Sequence, residues 1–434
     1  MQKNFSLTKK IFISMFLGAL FGIIIQNLES DLIKNTIILN GFVKVLSNLF
    51  LASIKMMVVP LVFISLTCGA ASIENIKKLG RVGGKVFLFY LSTTCIAITI
   101  GILFSILIKP GIGLDMSHLL ISEPTISQGN SFIDIIIGII PTNPFKSFVE
   151  GDMLQVIFFS ILLGLSISMV GEKATIVKTF LNSLNEVIMK FVQIIMNFAP
   201  FGVFALMTNT FATIGFNAMM PLIKYMIVIL LSLLIHSIFI YGGLFKFFTK
   251  LSIKPFLRKF IKPASIVFST ASSNSALPVT LNAMDEMGVD NSISSFSIPL
   301  GSTINMDGTA IMQGVASIFI AQVYNIDLSI TSILTIILTA TLASIGTAGV
   351  PGVGMVMLSM VLQSVGLPIE GIGLIIGIDR ILDMCRSTIN TMGDCICTII
   401  VSKSENSFNE EQYYCDINSM ENLNNLYENA DNSI

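Results

Sequence analysis

Long apolar stretches, separated by short polar and often basic segments, make up most of the chain. Runs that are mostly apolar cover residues 11–25, 41–70, 85–108, 131–170, 186–214 and 219–245. A helix of about 20 apolar residues is long enough to cross a bilayer. The pattern therefore predicts an all-α multi-span membrane protein. No small-residue cleavage site follows the first run, so we interpret it as a retained helix and not as a signal peptide.

Two later segments are apolar at both ends but consist of tiny, polar or glycine residues in the middle. They cover residues 268–278 and 343–354, and each arm is too short for a full crossing. Lipid does not tolerate the backbone NH and CO groups that such a break frees. A flexible loop would explain either segment alone. As a pair with similar proline-ended tips, they predict two related re-entrant helical hairpins.

An apolar run between these segments, residues 298–323, is interrupted near its start by proline and glycine. Asn305, Asp307 and Thr309 place amide, carboxylate and hydroxyl oxygens where the helix is expected to unwind. Hard monovalent cations bind such oxygens, and Asp is rarely buried without a partner. We interpret this turn as a cation site, with a kinked helix whose Asp307 pairs with a neighbour as the alternative.

The last apolar segment, residues 371–401, carries a stripe of polar side chains. Its members are spaced four, three, four and four residues apart, so on a helix they fall within an arc of about 80°: Asp379, Asp383, Arg386, Asn390 and Asp394. With Arg380 the segment holds five formal charges, and exposing them to lipid would cost about 12–18 kcal/mol. The stripe must therefore face protein, water, ions or a polar ligand.

The stripe offers complementary groups for an amino acid with an acidic side chain. Arg386 suits a carboxylate, Asp383 suits an ammonium group, and Asn390 suits the α-carboxylate. Asp394 is then available for a cation site with Asn390. An ion pair between Asp383 and Arg386 that merely neutralises the helix is the alternative. No ligand role is assigned to Asp379 or Arg380, for which a structural role is expected.

Composition and charge fit a membrane setting. Of 434 residues, 53% are hydrophobic and 12% are charged, about half the charged share of a soluble domain. Residues 404–434 hold seven acids and no Lys or Arg, which predicts a disordered cytoplasmic tail. The remaining 19 acidic and 25 basic residues cluster so that the positive-inside rule places both termini in the cytoplasm. We expect a multi-pass protein of the cell membrane with no nucleic-acid partner.

Other chemistry finds little support in the sequence. The six cysteines show no metal or redox spacing, and two histidines offer little for catalysis. The segment 80–86 fails the spacing and the final hydroxyl of a phosphate-binding loop. We therefore predict neither an enzyme nor an ATP-driven pump, and no cofactor.

Four motifs together resemble the dicarboxylate/amino acid:cation symporter family, over about residues 8–403. They are Ser272-Ser273-Asn274-Ser275, Asn305-Met306-Asp307-Gly308-Thr309, the glycine-rich residues 346–352, and the stripe from Asp379 to Asp394. The resemblance implies eight transmembrane helices plus two re-entrant hairpins, a homotrimer, and an elevator-type fold. In such a fold a transport part (about 85–108 and 219–403) moves against a scaffold part (about 8–70 and 131–214).

The resemblance also implies which residues bind substrate and sodium, the coupling ion. Substrate would contact Arg386, Asp383, Asn390, Ser387, Thr309, Ser273, Val350 and Gly354. A first sodium site would use Gly301, Asn305, Asn390 and Asp394. A second would use carbonyls of Thr303, Ser344, Ile345 and Thr347, and a third Tyr90, Thr93, Thr94, Asn305 and Asp307.

The chain also departs from the family pattern. Members of the family often carry an arginine at one of two positions, which are Ala271 and Met384 in this chain. Because neither is an arginine here, the resemblance does not decide the kinetics of substrate release or whether potassium is counter-transported. Retention of Asp383 and Asp394 favours an amino acid over a plain dicarboxylate, and sodium over protons. The expected function is sodium-coupled uptake of aspartate or glutamate. The alternatives are a sodium- or proton-coupled carrier of cystine, neutral amino acids or C4-dicarboxylates, or a passive anion channel.

Overall fold

The protein is helical throughout the part that the structure, a computed structural model, describes: residues 7–28, 30, 32–71, 80–114, 116, 137–215, 219–345 and 352–415. Within these ranges the only β-type pairing is one isolated bridge between Val289 and Phe408. Four helical segments of the described chain are long and apolar enough to cross a membrane. The predicted all-helical class is confirmed, whereas the count of eight spans stays a prediction.

Within the described residues of the first half of the chain, seven α-helices have defined bounds. They are α1 (Leu7–Gln26), α2 (Lys44–Ala71, entered through a π-helix at Leu32–Val43), α3 (Gly80–Ile108), α4 (Pro144–Glu150), α5 (Met153–Val170), α6 (Thr175–Asn197) and α7 (Ala199–Ile214). Helix α1 packs on α7, α2 packs on α5 and α6, and α3 packs on a helix of the second half. The division into scaffold and transport parts stays a prediction.

The hydropathy of residues 186–214 predicted one continuous helix, but the structure has two helices there. The run is divided at Phe198, where α6 ends and α7 begins. Pro200 lies in the first turn of α7, where its missing NH costs nothing and its fixed φ suits a helix start. Because the residues around the break are themselves apolar, the hydrophobic pattern does not register it.

The described part of the second half contains ten α-helices. They are α8 (Met219–Ile235), α9 (Gly242–Thr249, joined to α8 by a π-helix at His236–Tyr241), α10 (Ile253–Thr270), α11 (Leu277–Glu286), α12 (Asn291–Ile304), α13 (Asp307–Val323), α14 (Ile330–Ser344), α15 (Val353–Ser364), α16 (Ile372–Ser404) and α17 (Glu410–Tyr414).

The two segments interpreted as hairpins are helix pairs. Helix α10 packs on α11 and α14 packs on α15. The break after α10 occurs at Ala271, which has a left-handed φ of 52° and so ends the helix at Thr270. The tip of the second pair, residues 346–351, lies outside the described residues. Re-entrance into a membrane stays a prediction for both pairs.

Helix α16, which carries the charged stripe, lies at the centre of the second half. It packs against α8, α10, α12 and α13, and also against α7 from the first half. Helix α13 is buried along almost its whole length. The stripe therefore faces protein, as its charge required.

The chain continues in contact with the body beyond the boundary predicted for the tail at residue 404. Tyr413 of α17 is fully buried, and Lys259 of α10 donates to the carbonyl oxygens of Gln412 and Tyr413 at 2.9 Å each. Lys85 and Arg81 bond the Glu405 carboxylate and hold its pKa below the usual value. We call residues 405–415 the C-terminal strap. The predicted tail beyond it, 416–434, lies outside the described residues.

Candidate functional site

The site is built around a break in the backbone between α12 and α13. Asn305 and Met306 are not helical, as predicted, whereas residues 307–309, which were expected in the same unwound turn, form the first turn of α13. Opposite the break, α13 approaches α16 so closely that a Cβ on Gly308 would lie 2.7 Å from the carbonyl oxygen of Arg386. Glycine at 308 therefore permits the contact that brings the break onto the charged stripe.

Arg386 lies at the centre of a buried ion cluster. Its side chain is 1% exposed, and it donates to Asp379 Oδ1 at 2.6 Å and to Asp383 Oδ1 at 2.9 Å. The guanidinium Nε is buried and has no hydrogen-bond partner among the described residues. A buried donor without a partner costs about 1–3 kcal/mol, so this nitrogen is available to an incoming acceptor such as a carboxylate.

The expected structural role of Asp379 corresponds to this contact with Arg386. The expectation did not specify this partner. Removing one partner from a buried pair costs about 3–5 kcal/mol. Asp379 is therefore as important to the state of Arg386 as Asp383 is.

The lower part of the stripe meets the backbone break. Asn305 donates from Nδ2 to Asp394 Oδ1 and to the carbonyl oxygen of Asn390, both at 2.9 Å. Asn390 accepts in turn from the NH of Gly308 at 2.7 Å. Asn305 Oδ1 is buried and has no partner within the described chain. An unsatisfied buried oxygen beside a buried carboxylate is a suitable pair of ligands for a cation.

Gly301 and Tyr90 border the same carboxylate. A Cβ on Gly301 would lie 2.5 Å from the Tyr90 hydroxyl and would also clash with the carboxylate of Asp394. Glycine at 301 therefore leaves the approach to Asp394 open. Tyr90 itself donates to the carbonyl oxygen of Ser297 at 3.3 Å.

Asp307 is held by three side chains, of which the sequence predicted one. Thr94 donates to Oδ1 at 2.5 Å; Thr94 and Asp307 both belong to the predicted third sodium site, which stays a prediction. Tyr241 donates to Oδ2 at 2.8 Å, and His236 Nε2 lies 3.0 Å from the same oxygen. All four side chains are fully buried. These hydrogen bonds are compatible with the alternative of an Asp307 paired with a neighbour, and the cation site at this turn stays a prediction.

Other residues predicted to bind substrate lie near the ion cluster. A Cβ on Gly354 would lie 3.5 Å from Arg386 Nη2 and 3.2 Å from Thr309 Cγ2, which places both residues beside the guanidinium. Ser273 is buried at the tip of the first helix pair, and Ser387 is half-buried on α16.

For the remaining residues predicted to bind sodium or substrate, the observed contacts do not test the prediction. The hydroxyls of Thr303, Ser344 and Thr93 bond to carbonyl oxygens of their own helices, and Ile345 is buried at the end of α14. Two further predicted ligands, Thr347 and Val350, lie outside the described residues.

Comparison with known proteins identifies a family that this chain matches. The model of the sodium:dicarboxylate symporter family matches residues 7–404. The chain is 36% identical to a proton/sodium-glutamate symport protein of Bacillus caldotenax over 418 residues, which are 95% of this chain and 97% of the relative.

Two further relatives differ in the substrates that their names state. A proton/glutamate-aspartate symporter of Escherichia coli (strain K12) is 36% identical over 94% of this chain and 95% of the relative. A C4-dicarboxylate transport protein of Bacillus subtilis (strain 168) is 34% identical over 93% of this chain and 95% of the relative.

Proposed function

The chain belongs to the sodium:dicarboxylate symporter family, and from that premise we propose that it takes up aspartate or glutamate by symport with sodium. The family consists of membrane-embedded transporters and not of enzymes. A small-molecule substrate and coupling ions follow from membership. The identity of both is our proposal.

The observation that carries the proposal is the pairing of Asp383 and Arg386 in the buried interior. Their charged atoms lie 2.9 Å apart, so one ligand can reach both. An acidic amino acid carries an ammonium group for Asp383 and a distal carboxylate for Arg386. The Nε of Arg386 supports this assignment, because it adds a donor that no described residue of the protein uses.

Sodium is proposed as the coupling ion on the chemistry of the groups around the break. Asn305 supplies an amide oxygen that has no partner among the described residues, and Asp394 supplies a buried carboxylate. Asp307 and Thr94 supply a second carboxylate and a hydroxyl. Oxygen donors of this kind suit a hard cation, and two buried carboxylates need positive charge nearby. The ligands predicted around Thr303 and Ser344 belong to the same proposal.

We extend the proposal to the architecture that the resemblance implies. It comprises eight spans, two re-entrant hairpins formed by α10–α11 and α14–α15, a homotrimer with elevator-type movement, and cytoplasmic termini. Support comes from the two helix pairs, from the break at Ala271 in the first of them and from the central position of α16.

The second candidate function is transport of C4-dicarboxylates, driven by sodium or protons. It is favoured by the relatives, whose names include C4-dicarboxylate and proton-coupled carriers at similar identity. The uptake experiment must also separate transport of cystine, transport of neutral amino acids and passive anion flow.

Purified protein in liposomes tests these candidates together. Labelled aspartate, glutamate, cystine, serine, succinate and chloride are each offered under an imposed sodium gradient, a proton gradient or neither. We expect concentrative uptake of aspartate or glutamate that disappears without the sodium gradient. Sodium-independent succinate uptake with no competition by aspartate would refute the proposal.

A substitution of Arg386 tests whether its guanidinium binds the distal carboxylate of the substrate. Arg386→Thr is expected to lose acidic substrates by at least about a hundredfold, because a buried charge-assisted contact is worth about 3–5 kcal/mol. Uptake of serine is expected to appear in its place. Unchanged competition by aspartate in this variant would exclude Arg386 from the substrate site.

A further inference from the structure

Asp383 lies between two guanidinium groups, of which only Arg386 has been given a role so far. Asp383 Oδ1 accepts from Arg386 at 2.9 Å, and Oδ2 lies 3.5 Å from Arg380 Nη1. Each oxygen of the carboxylate therefore faces a different arginine. An ammonium group that binds Asp383 has to compete with at least one of them.

Arg380 is better placed to give way than Arg386 is. Its side chain is 18% exposed, compared with 1% for Arg386. It is also anchored away from Asp383, because Nη2 donates to the carbonyl oxygen of Thr270 at 3.3 Å. Thr270 ends α10, where free carbonyl groups attract a cation. Arg380 can thus lengthen its contact with Asp383 and remain held at the tip of the first helix pair.

The charges of the cluster balance in its present form. The two carboxylates, Asp379 and Asp383, balance the two guanidinium groups, Arg380 and Arg386. A small cavity of about 40 Å³ next to Gly352 is bordered by Asp379, Arg380 and Asp383. An amino dicarboxylate brings its own ammonium to Asp383, whereas succinate brings none. With succinate bound, Asp383 would remain an uncompensated carboxylate beside an anionic ligand unless Arg380 stays paired with it.

We propose that Arg380 sets the selectivity of this site between dicarboxylates with and without an amino group. It neutralises Asp383 when the ligand has no ammonium and competes with the ammonium when the ligand has one. This inference rests on the proposed function, since it requires that substrate is held by Asp383 and Arg386. It assigns a positioning role to a residue for which the sequence predicted only a structural one.

The test is competition against labelled aspartate uptake in proteoliposomes, with unlabelled aspartate and succinate as competitors. In Arg380→Gln we expect the ratio of the succinate to the aspartate inhibition constant to rise by about three- to fivefold, the upper range for one partly exposed charge pair. Arg380→Lys keeps the charge and should remain within about twofold of the unaltered ratio. Arg81→Gln, which removes the same charge from an exposed pair with Glu405, should leave the ratio unchanged.

The outcomes separate this inference from the function on which it rests. If the unaltered protein shows no sodium-driven uptake of aspartate or glutamate, the proposed function is wrong. If it transports but succinate never competes, or if Arg380→Gln weakens both competitors equally, only the role of Arg380 is refuted. A melting temperature for each variant shows whether an equal loss reflects misfolding. Arg380→Lys then decides, because a shifted ratio despite retained charge also overturns the inference.

Discussion

Replacing Asp394 with asparagine tests the proposed cation site with the smallest change of shape. Asp394 is 1% exposed, and its Oδ1 accepts a 2.9 Å hydrogen bond from Asn305. Asparagine has the same size, keeps one carbonyl oxygen that can accept this bond, and removes the negative charge. The substitution therefore separates the charge of Asp394 from its packing.

The magnitude follows from the loss of that charge. Two unit charges about 4 Å apart attract each other by about 4 kcal/mol at an effective dielectric constant of about 20. A directly bound ion lies closer, and the carbonyl oxygen of asparagine restores part of the attraction. We take about 3 kcal/mol as the net loss, which corresponds to roughly a hundredfold weaker binding of sodium.

Sodium titration of aspartate uptake in proteoliposomes measures this effect. The half-saturating sodium concentration of Asp394→Asn should rise by roughly a hundredfold, or uptake should vanish over the accessible range. Asp327→Asn is the matched control, because it makes the same substitution at an exposed position and should behave like the unaltered protein. Asp394→Asn that transports with a half-saturating sodium concentration within threefold of the control would refute a cation at this carboxylate.

Two further predictions concern stability, measured by thermal unfolding in detergent. Tyr241→Phe removes the buried donor to Asp307 and should reduce stability by about 1.5–3 kcal/mol, the worth of a hydrogen bond to a charged group; a change below about 0.5 kcal/mol would contradict that bond. Lys259→Met leaves three carbonyl groups without their donor and should cost about 2–4 kcal/mol, with earlier proteolytic release of the C-terminal strap. Lys262→Met, one turn along α10 in an exposed pair, should cost less than about 1 kcal/mol, and equal losses in the two lysine variants would exclude a specific role for Lys259.

The sequence predicted the charged stripe and the backbone break well because burial leaves charged groups few options. Five charges in an apolar helix have to face protein, and α16 does pack on several neighbouring helices. Asn305 was expected at an unwound turn because proline and glycine flank it, and it lies there. The cost of exposing these charges to lipid depends only on composition and spacing. Their burial in protein can therefore be predicted without knowing which residues they contact.

The contacts of Asp307 could not be predicted in the same way. His236 and Tyr241 are five residues apart, which places them about 140° apart on an α-helix. They bond the same carboxylate oxygen because residues 236–241 form a π-helix, whose wider turn brings such residues onto one side. Nothing in the local sequence distinguishes this turn from the α-helix before it. The signal lies in the tertiary contact with Asp307.

Asn390 connects the two ends of the stripe and so links the proposed cation site to the proposed substrate site. Its carbonyl oxygen accepts from Asn305, whose Nδ2 also donates to Asp394. The side chain of Asn390, which lies one helical turn after Arg386 on α16, accepts from the NH of Gly308. A cation that binds the free oxygen of Asn305 therefore fixes the backbone break against Asn390. By linkage, a substrate that is bound more tightly in that state must tighten the cation by the same factor, so coupling needs no contact between ion and substrate.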